Sequence, residues 1–425
     1  MDYYTYKYTE GGAEFRYPPI EETIQQFIEK GNAKINLIEF SRNFIEIYIN
    51  EIAKTVPEWI NRFLATRRVN LDNMSINIIL SDYDKNRISD ELIALHMRAE
   101  RFMGKMHSSG LILNSLKEEN SEELYCYIKS EAHDSEKIPG AVIKREVREF
   151  VVSVTFSIIR KVLFPNTPIF PTERSTFITL PFPSIQDKEK GYNIKKRNEH
   201  KYNGEFFFSE PVKDFLEILK SSLKEYFNRK VDERNNPKIT EFIRLANLLE
   251  RDILGGDIDF EQYGSDFEVT YKVSKDINLE LNVSSSMVKE LAPLALYLKY
   301  LAKHGDLLVI DEPEMNLHPS AQVEFAEFTA MLVNAGLNVL ITTHSPYIVD
   351  HLGNLMQAAK SDDKEKIREL FYLERTDAFI DQDKISVYLF EDGTARNIVD
   401  ETGVIDWRTF GNVSSDIANI YTQLI

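Results

Sequence analysis

Apolar residues at helical spacing dominate the first third of the chain. They predict helices over 20–67 and a buried helix over 144–163, because apolar positions recur there every three or four residues. Two short segments rich in β-forming residues, 75–82 and 123–130, predict strands.

The middle of the chain mixes polar and patterned segments. Residues 168–177 predict a short strand entering a turn with an exposed pair, Glu173 and Arg174, whereas 181–206 is polar and basic, as in a linker or insertion. Helices resume, and Gly255–Gly256 turns the chain into strands. The predicted helices are 212–227 and 239–254, and the predicted strands are 257–263, 267–273 and 277–283.

The pattern changes again in the last third, where unbroken apolar strands alternate with helices. The strands are 307–311 and 338–343, and the helices are 286–303, 319–335 and 346–352. Apolar strands between helices indicate parallel strands buried on both faces. We therefore predict an α/β fold with a parallel sheet, and expect the chemistry in this part of the chain.

The overall charge argues against nucleic-acid binding through the general field of the protein. The formal net charge is −17, whereas phosphate contacts need a positive face. The best local basic cluster contains Lys195, Lys196, Arg197 and Lys201. It is typical of a solvated loop, and a local nucleic-acid contact is the alternative.

Cysteine content and hydropathy indicate a cytoplasmic protein. The chain has one cysteine, Cys126, which excludes an internal disulfide framework. No apolar run approaches the roughly 20 residues of a membrane span, so we expect no membrane association. The first residues have neither the basic nor the apolar region of an export signal.

Two adjacent carboxylates, Asp311 and Glu312, follow the apolar strand 307–310. Ligands of open α/β sheets bind at the carboxyl ends of the strands. Asp311 suits a Mg²⁺ ion, which prefers hard oxygen ligands, and Glu312 suits deprotonation of a water that attacks a phosphate. The plain alternative is a pair of acids in a solvated turn.

A second strand end strengthens the functional interpretation. His344 follows the apolar strand 338–341, and Ser345–Pro346 can begin a helix. Because one helix separates the two strands, we expect His344 and the carboxylate pair on the same sheet edge. His344 could then hydrogen-bond a γ-phosphate oxygen. His351 lies on the following helix and is predicted to be a surface or helix-dipole residue.

Three serines, Ser284, Ser285 and Ser286, precede the predicted helix 286–303. Hydroxyls and free N–H groups at a helix N-terminus form an anion site. Ordinary capping by one serine is the alternative, although it does not explain the run of three.

These motifs, in this order, resemble ATPases of the ATP-binding-cassette type. The likeness is to soluble bacterial ATPases related to chromosome-maintenance heads and to the overcoming-lysogenization-defect proteins. LLVIDE is similar to the Walker B segment, PEMNLHP to the D-loop, ITTHSP to the H-loop, and SSSMVKEL stands at the signature motif, with Ser286 in place of the usual glycine. The resemblance is strong over 280–352, extends over 165–425 and is weak over 1–160.

The resemblance implies a role for each matching residue. Asp311 would be the Mg²⁺-associated acid, Glu312 the general base and His344 the switch histidine. The three serines, Asn316 and His318 would contact ATP. PTERSTF (171–177) also resembles a strand-end motif of these ATPases, without assigning a role to Glu173 or Arg174.

The resemblance also implies the architecture and the assembly. It predicts a parallel-sheet P-loop NTPase-like fold, an ATPase head with a helical and mixed α/β insertion. The expected segments are a helical and mixed region 1–163, a core strand with insertions 164–270, and a C-terminal ATPase lobe 271–425. Because the signature motif binds the nucleotide of an opposite subunit, a homodimer is expected, with a partner effector protein as a further expectation.

The phosphate cradle of such an ATPase is not found in the sequence. A P-loop reads G-x-x-x-x-G-K-[ST], whereas Gly104–Lys105, the one Gly-Lys pair, is followed by Met106. We expect either a truncated N-terminal lobe, a lobe supplied as a separate polypeptide, or a scaffold that has lost nucleotide binding. The truncated lobe is the preferred expectation, and the chain as given should bind ATP poorly.

A scaffold and a nuclease are the alternative functions. A scaffold without catalysis would keep the fold and the dimer surface. A metal-dependent nuclease would need a separated set of acids on strand ends, and Glu391, Asp392 and Asp400 do not form one convincingly. Residues 385–403 instead predict a hairpin that turns at Asp392–Gly393.

Overall fold

The structure is a computed structural model that describes residues 17–64, 66, 73–103, 111–130, 140–179, 182–183, 208–229, 237–264, 266–406 and 408–424. The chain divides into two compact units, Met1–Pro165 and Asn166–Ile425. The basic cluster at 195–201 and the Gly104–Lys105 pair lie outside the described residues. The three-segment division predicted from the sequence stays a prediction.

The described residues of the first unit form one antiparallel sheet and four helices. Its strands are β1 Asn32–Asn36, β2 Met97–Met103, β3 Leu111–Lys117 and β4 Glu123–Ser130, and its helices are α1 Pro18–Lys30, α2 Leu37–Phe63, α3 Asp82–Ala94 and α4 Gly140–Leu163. The sheet order is β1-β4-β3-β2. Buried side chains of helices and strands form one core, with Phe27, Phe40 and Phe156 among them. The dense apolar content of α4 is therefore explained by burial, as predicted.

Two predictions in the first unit are wrong. Residues 75–81 form no strand, although their exposure alternates as in an extended chain, because none of the described strands pairs with them. Conversely, the predicted helical run 20–67 is interrupted by β1. Ala33 and Ile35 of β1 are buried against the core, but five residues with three polar side chains are too short a pattern to predict a strand.

The second unit holds a parallel sheet, an antiparallel sheet, a hairpin and the remaining helices. Its strands are β5 Ile169–Phe170, β6 Phe182–Pro183, β7 Asp257–Tyr263, β8 Asp266–Ser274, β9 Ile277–Glu280, β10 Leu307–Asp311, β11 Asn338–Thr342, β12 Tyr388–Glu391 and β13 Thr394–Asn397. Its helices are α5 Arg174–Phe177, α6 Glu210–Arg229, α7 Pro237–Leu248, α8 Ser286–Tyr300, α9 Pro319–Asn334, α10 Pro346–Ala359, α11 Lys364–Ile367 and α12 Arg408–Leu424.

The parallel sheet has the order β11-β10-β5. The strands predicted at 307–311 and 338–343 are confirmed, and β10 is the central one. Leu308 and Ile310 are fully buried, as expected for a core strand. Burial on both faces fails at β11, where Leu340 is 52% exposed, since β11 is an edge strand of the described sheet.

The antiparallel sheet precedes α8. Strand β8 pairs with β6, β7 and β9, so the strands predicted after Gly255–Gly256 are confirmed. A π-helical turn, Leu249–Leu254, continues α7, and Gly255 ends it with φ +73°. Inside this turn the buried Glu250 pairs with Lys299 of α8 at 2.5 Å. The turn and α8 are thus joined by a buried ion pair.

The predicted hairpin at 385–403 is confirmed by β12 and β13. Glu391 pairs with Thr394 across the turn, and Asp392 and Gly393 both have positive φ, at +50° and +75°. Positive φ at both central residues is what a two-residue hairpin turn requires. Among the described residues, no helix combines the length and apolarity that crossing a membrane needs.

Candidate functional site

The carboxyl ends of three parallel strands form the candidate site. Strand β10 pairs in parallel with β5 on one side and with β11 on the other, and Asp311 is in register with Thr342. The residues that follow the three strands therefore meet at one edge. The expectation that Asp311, Glu312 and His344 share an edge is confirmed, whereas their chemical roles stay predictions.

Asp311 is held from both neighbouring strands. The hydroxyl of Thr342 donates to Oδ1, and the hydroxyl of Thr172, just beyond β5, donates to Oδ2 at 3.1 Å. Two hydroxyl donors fix the rotation of the carboxylate, which is partly exposed at the strand end. The orientation of Asp311 is thus set by the parallel pairing itself.

Glu312 leaves the strand in an unusual backbone conformation. Its φ is +46°, in the left-handed region that side chains other than glycine rarely adopt. Its amide donates to Thr342 O at 3.0 Å. The turn aims the side chain along the sheet edge, where Oε1 lies 3.6 Å from Nε2 of His344.

His344 is presented outward by a short loop. Its side chain is 82% exposed, and its amide donates to Oε1 of Glu314 at 2.6 Å. The other oxygen of Glu314 is buried, with no hydrogen-bond partner among the described residues. Ser345 then begins α10 by accepting from Ile348 N at 3.2 Å, as predicted. The backbone of His344 is therefore fixed while its imidazole is free to meet a ligand.

Arg174 is buried, which corrects the prediction of an exposed Glu173–Arg174 pair. Arg174 is 1% exposed, whereas Glu173 is on the surface. Nη1 donates to Pro171 O at 3.0 Å and to Asp311 O at 2.7 Å, and Nη2 donates to Glu312 O at 3.1 Å. The arginine was read as a surface residue because a single charged pair after a short strand carries no burial signal.

The positive charge of Arg174 is balanced by a buried acid on α8. Oε2 of Glu290 lies 3.0 Å from Nε of Arg174, as an ion pair without hydrogen-bond geometry. Burial lowers the pKa of Arg174, and the charge of Glu290 opposes that shift. Since an arginine starts from a very high pKa, it stays charged.

Asn316 and His318, predicted to contact nucleotide, make local contacts in this structure. Asn316 has φ +60° and donates from Nδ2 to Oε1 of Glu290 at 2.8 Å. His318 caps α9, with Nδ1 accepting from Ser320 N at 3.3 Å. Both residues are exposed and lie in the loop between β10 and α9. Their contact with nucleotide stays a prediction.

The three serines before and at the start of α8 differ in their hydrogen bonds. Ser284 donates to Leu281 O at 2.7 Å, and Ser285 caps α8 by accepting from Val288 N at 3.3 Å. Ser286 is the first residue of α8 and is exposed. Ordinary capping thus accounts for Ser285, and the exposed Ser286 stays a candidate for an anion contact.

His351 is not at the surface, so that prediction is wrong. It is buried, and Nε2 lies 2.8 Å from Oε1 of Glu327 on α9. Glu327 also accepts from the amides of Tyr372 and Leu373, at 2.8 and 2.7 Å. The pair anchors the segment after α11 to the helices, which periodicity alone cannot predict.

The sheet edge offers one suitable ligand for a magnesium ion that is bound with a nucleotide. Asp311 offers an oriented carboxylate, and Mg²⁺ bound with phosphates needs only one or two protein carboxylates. No group of three His, Cys, Asp or Glu side chains in the described ranges is arranged to hold a metal by itself. The residues therefore fit an ion whose remaining ligands are phosphate and water.

Thr172, Arg174, Glu290 and Glu314 were not predicted as site residues. The available signal was the position of 171–174 directly after a strand, because an apolar strand in an α/β sheet ends where ligands bind. Without knowledge that β5 lies beside β10, that signal could not be used.

Comparison with known proteins shows the family to which the sequence belongs. Residues 20–349 match the family described as AAA ATPase domain. The match begins in the first unit, so the weak resemblance expected for 1–160 underestimated the family's extent.

Two further similarities were found. Over 202 residues, 42% of this chain, the sequence is 25% identical to the Old nuclease of Escherichia phage P2, and it spans about a third (33%) of that relative's length. A crystal structure of an SMC head bound to the C-winged helix domain of ScpA aligns with 64% of this chain and 82% of its own, at 9% identity. Its TM-score is 0.26, too low to carry an argument. The family match covers most of the sequence, and the chain belongs to the AAA ATPase domain family.

Proposed function

We propose that this chain carries the hydrolysing half of an ATPase site, with Asp311, Glu312 and His344 as its chemical groups. The observation that carries the proposal is the 3.6 Å approach of Glu312 Oε1 to His344 Nε2, beside an Asp311 that two hydroxyls orient. Membership in an ATPase family supports it.

The surroundings of Glu312, His344 and Asp311 suit a different chemical role for each side chain. Glu312 orients and deprotonates a water, since its carboxylate is one-third exposed (33%) and points along the sheet edge. His344 donates to a phosphate oxygen from its exposed imidazole. Asp311 is the carboxylate that faces the magnesium ion. The ion, when bound, neutralises charge that develops on the phosphates.

The phosphate cradle has to come from elsewhere than a P-loop in these 425 residues, because their sequence contains no such motif. We propose that a P-loop lobe joins Asp311, Glu312 and His344, either in a longer form of the chain or from a separate polypeptide. A scaffold without catalysis is the alternative, and the matched geometry of Glu312 and His344 favours the ATPase.

Assembly as a homodimer belongs to the same proposal. The exposed Ser286 at the N-terminus of α8 suits the γ-phosphate of a nucleotide held by an opposite subunit. A partner effector protein and a role in phage defence or DNA transactions follow from the resemblance alone. A cytoplasmic location is proposed from the single cysteine of the chain.

Nuclease activity, named in the Old nuclease, is not proposed for this chain. Asp392 lies in a hairpin turn. Asp400 Oδ1 accepts from Thr402 N at 2.8 Å and Val404 N at 2.9 Å, and these bonds lower its pKa, with the Thr402 side chain as the largest cause. Both Asp392 and Asp400 therefore stabilise local turns.

Binding of Mg·ATP to the purified chain is the first test. The chain alone should bind more weakly than about 1 mM, a level at which only about 4 kcal/mol of binding free energy is present. Micromolar binding that survives Asp311→Asn would place nucleotide at another site and contradict the proposal. Micromolar binding lost in Asp311→Asn would support the site and contradict the need for a separate cradle.

A further inference from the structure

Arg174 has no role in the site as proposed, yet it contacts the backbone of both acids. Arg174 lies under the turn at Asp311–Glu312 and donates to the carbonyl oxygens of both residues and of Pro171. One guanidinium thus donates to three backbone carbonyl oxygens at once.

We propose that Arg174 is a positioning residue that holds Glu312 in its left-handed backbone conformation and thereby aims the Glu312 carboxylate at His344. A glutamate adopts positive φ only where its surroundings stabilise it. Glu312 is fixed on its amide side by Thr342 and on its carbonyl side by Arg174. Without the contact between Arg174 and its carbonyl oxygen, Glu312 would relax to a negative φ. Its carboxylate would then move away from His344.

The arrangement of the groups around residue 174 suits a guanidinium. Arg174 uses Nη1 twice, Nη2 once and Nε toward Glu290, so the donors point in four fixed directions. A lysine ammonium is a point charge with three donors on a flexible stem and cannot reproduce this fork. Arg174→Lys therefore keeps the charge and removes the geometry.

Glu290 connects this support to helix α8. Its Oε2 faces Arg174, its Oε1 accepts from Asn316, and it lies about one turn after the exposed Ser286. The buried ion pair of Arg174 and Glu290 therefore contacts three elements: the start of α8, the loop after β10 and the turn at Glu312.

The test follows the His344 ring directly and needs no nucleotide. The imidazole ¹H–¹³C cross-peak of the full chain is assigned by its loss in His344→Gln. Glu312→Gln should displace it by removing the carboxylate at 3.6 Å. Arg174→Lys should displace it toward the Glu312→Gln position, because the carboxylate has moved away.

Lys299→Met is the matched control, since it breaks another buried ion pair of α8, that with Glu250. It should lower the melting temperature and leave the His344 cross-peak in place. If Arg174→Lys does not fold, Glu290→Gln carries the same expectation. A cross-peak that stays in place in these variants, or that moves as far in Lys299→Met, overturns the positioning role. A cross-peak that Glu312→Gln leaves unmoved overturns it too, because the two side chains then do not meet.

The consequence for catalysis rests on the proposed function. In a preparation that hydrolyses ATP, Arg174→Lys should lower kcat about 100-fold, the effect of roughly 1 Å of misplacement, with KM unchanged. If Glu312→Gln itself leaves hydrolysis unchanged, the proposed function fails. The cross-peak result still decides on Arg174.

Discussion

The imidazole Nε2 of His344 lies 3.6 Å from Oε1 of Glu312, although the two residues follow different strands. Their approach depends on the backbone at both ends. Glu312 turns out of β10 with φ +46°, and the His344 amide is held by Glu314. The contact is therefore a product of the loops and of the parallel pairing beneath them.

The two hydroxyls beside Asp311 should matter for magnesium. Thr172→Val and Thr342→Val each remove one donor to the carboxylate and keep the side-chain shape. In an ATP-hydrolysing preparation, each should raise the half-saturating Mg²⁺ concentration about tenfold, since one hydrogen bond to a charged group contributes roughly 1.5–3 kcal/mol.

Thr176→Val is the control for these variants, because Thr176 is an exposed residue of the short helix α5 beside Thr172. An unchanged Mg²⁺ dependence in both of the other variants would show that the hydroxyls do not orient a metal-facing carboxylate.

The buried carboxylate of Glu327 should be a major contributor to the stability of the second unit. Glu327→Ala leaves the amides of Tyr372 and Leu373 and the imidazole of His351 without their acceptor. The free energy of unfolding should fall by about 3 kcal/mol, measured by urea denaturation.

Glu324→Ala, one turn earlier on α9, should cost less than about 1 kcal/mol, since Glu324 is only partly buried. Equal losses in the two variants would mean that the buried network contributes nothing beyond helix propensity.

The stability of the first unit should depend on alkaline pH through Cys126. Burial raises the pKa of this thiol from 9.0 to about 12. Because the folded pKa exceeds the unfolded one, the thiol contributes stability below pH 9 that is lost as the pH rises toward 12.

Cys126→Ala has no thiol, so the difference in unfolding free energy between the two proteins should shrink as the pH rises from 9 toward 12, the interval of the shift. Tyrosines contribute equally to both proteins and cancel. A constant difference would show that the thiol ionises as easily in the folded chain.

Much of the second unit could be predicted from the sequence. Strands β10 and β11 are largely apolar runs, and a helix between them indicates a parallel crossover, so the sequence predicts Asp311 and His344 on one edge of the sheet. The hairpin at Asp392–Gly393 followed from turn chemistry in the same way.

The parts that could not be predicted depend on neighbours distant in the chain. Residues 75–81 have the alternation of a strand but lack a partner, and β1 is a strand only because β4 lies beside it. Arg174 and His351 are buried because Glu290 and Glu327 balance them, and local pattern contains no information on such pairs.

The most direct test of the central claim is phosphate release from Mg·ATP by this chain together with a polypeptide that supplies the P-loop. Glu312→Gln should lower the rate about 100-fold or more, the usual contribution of a general base, and leave nucleotide binding unchanged. Glu391→Gln, on the hairpin, is the matched control and should hydrolyse at the unaltered rate. Hydrolysis by Glu312→Gln at the rate of the unaltered chain would contradict the account.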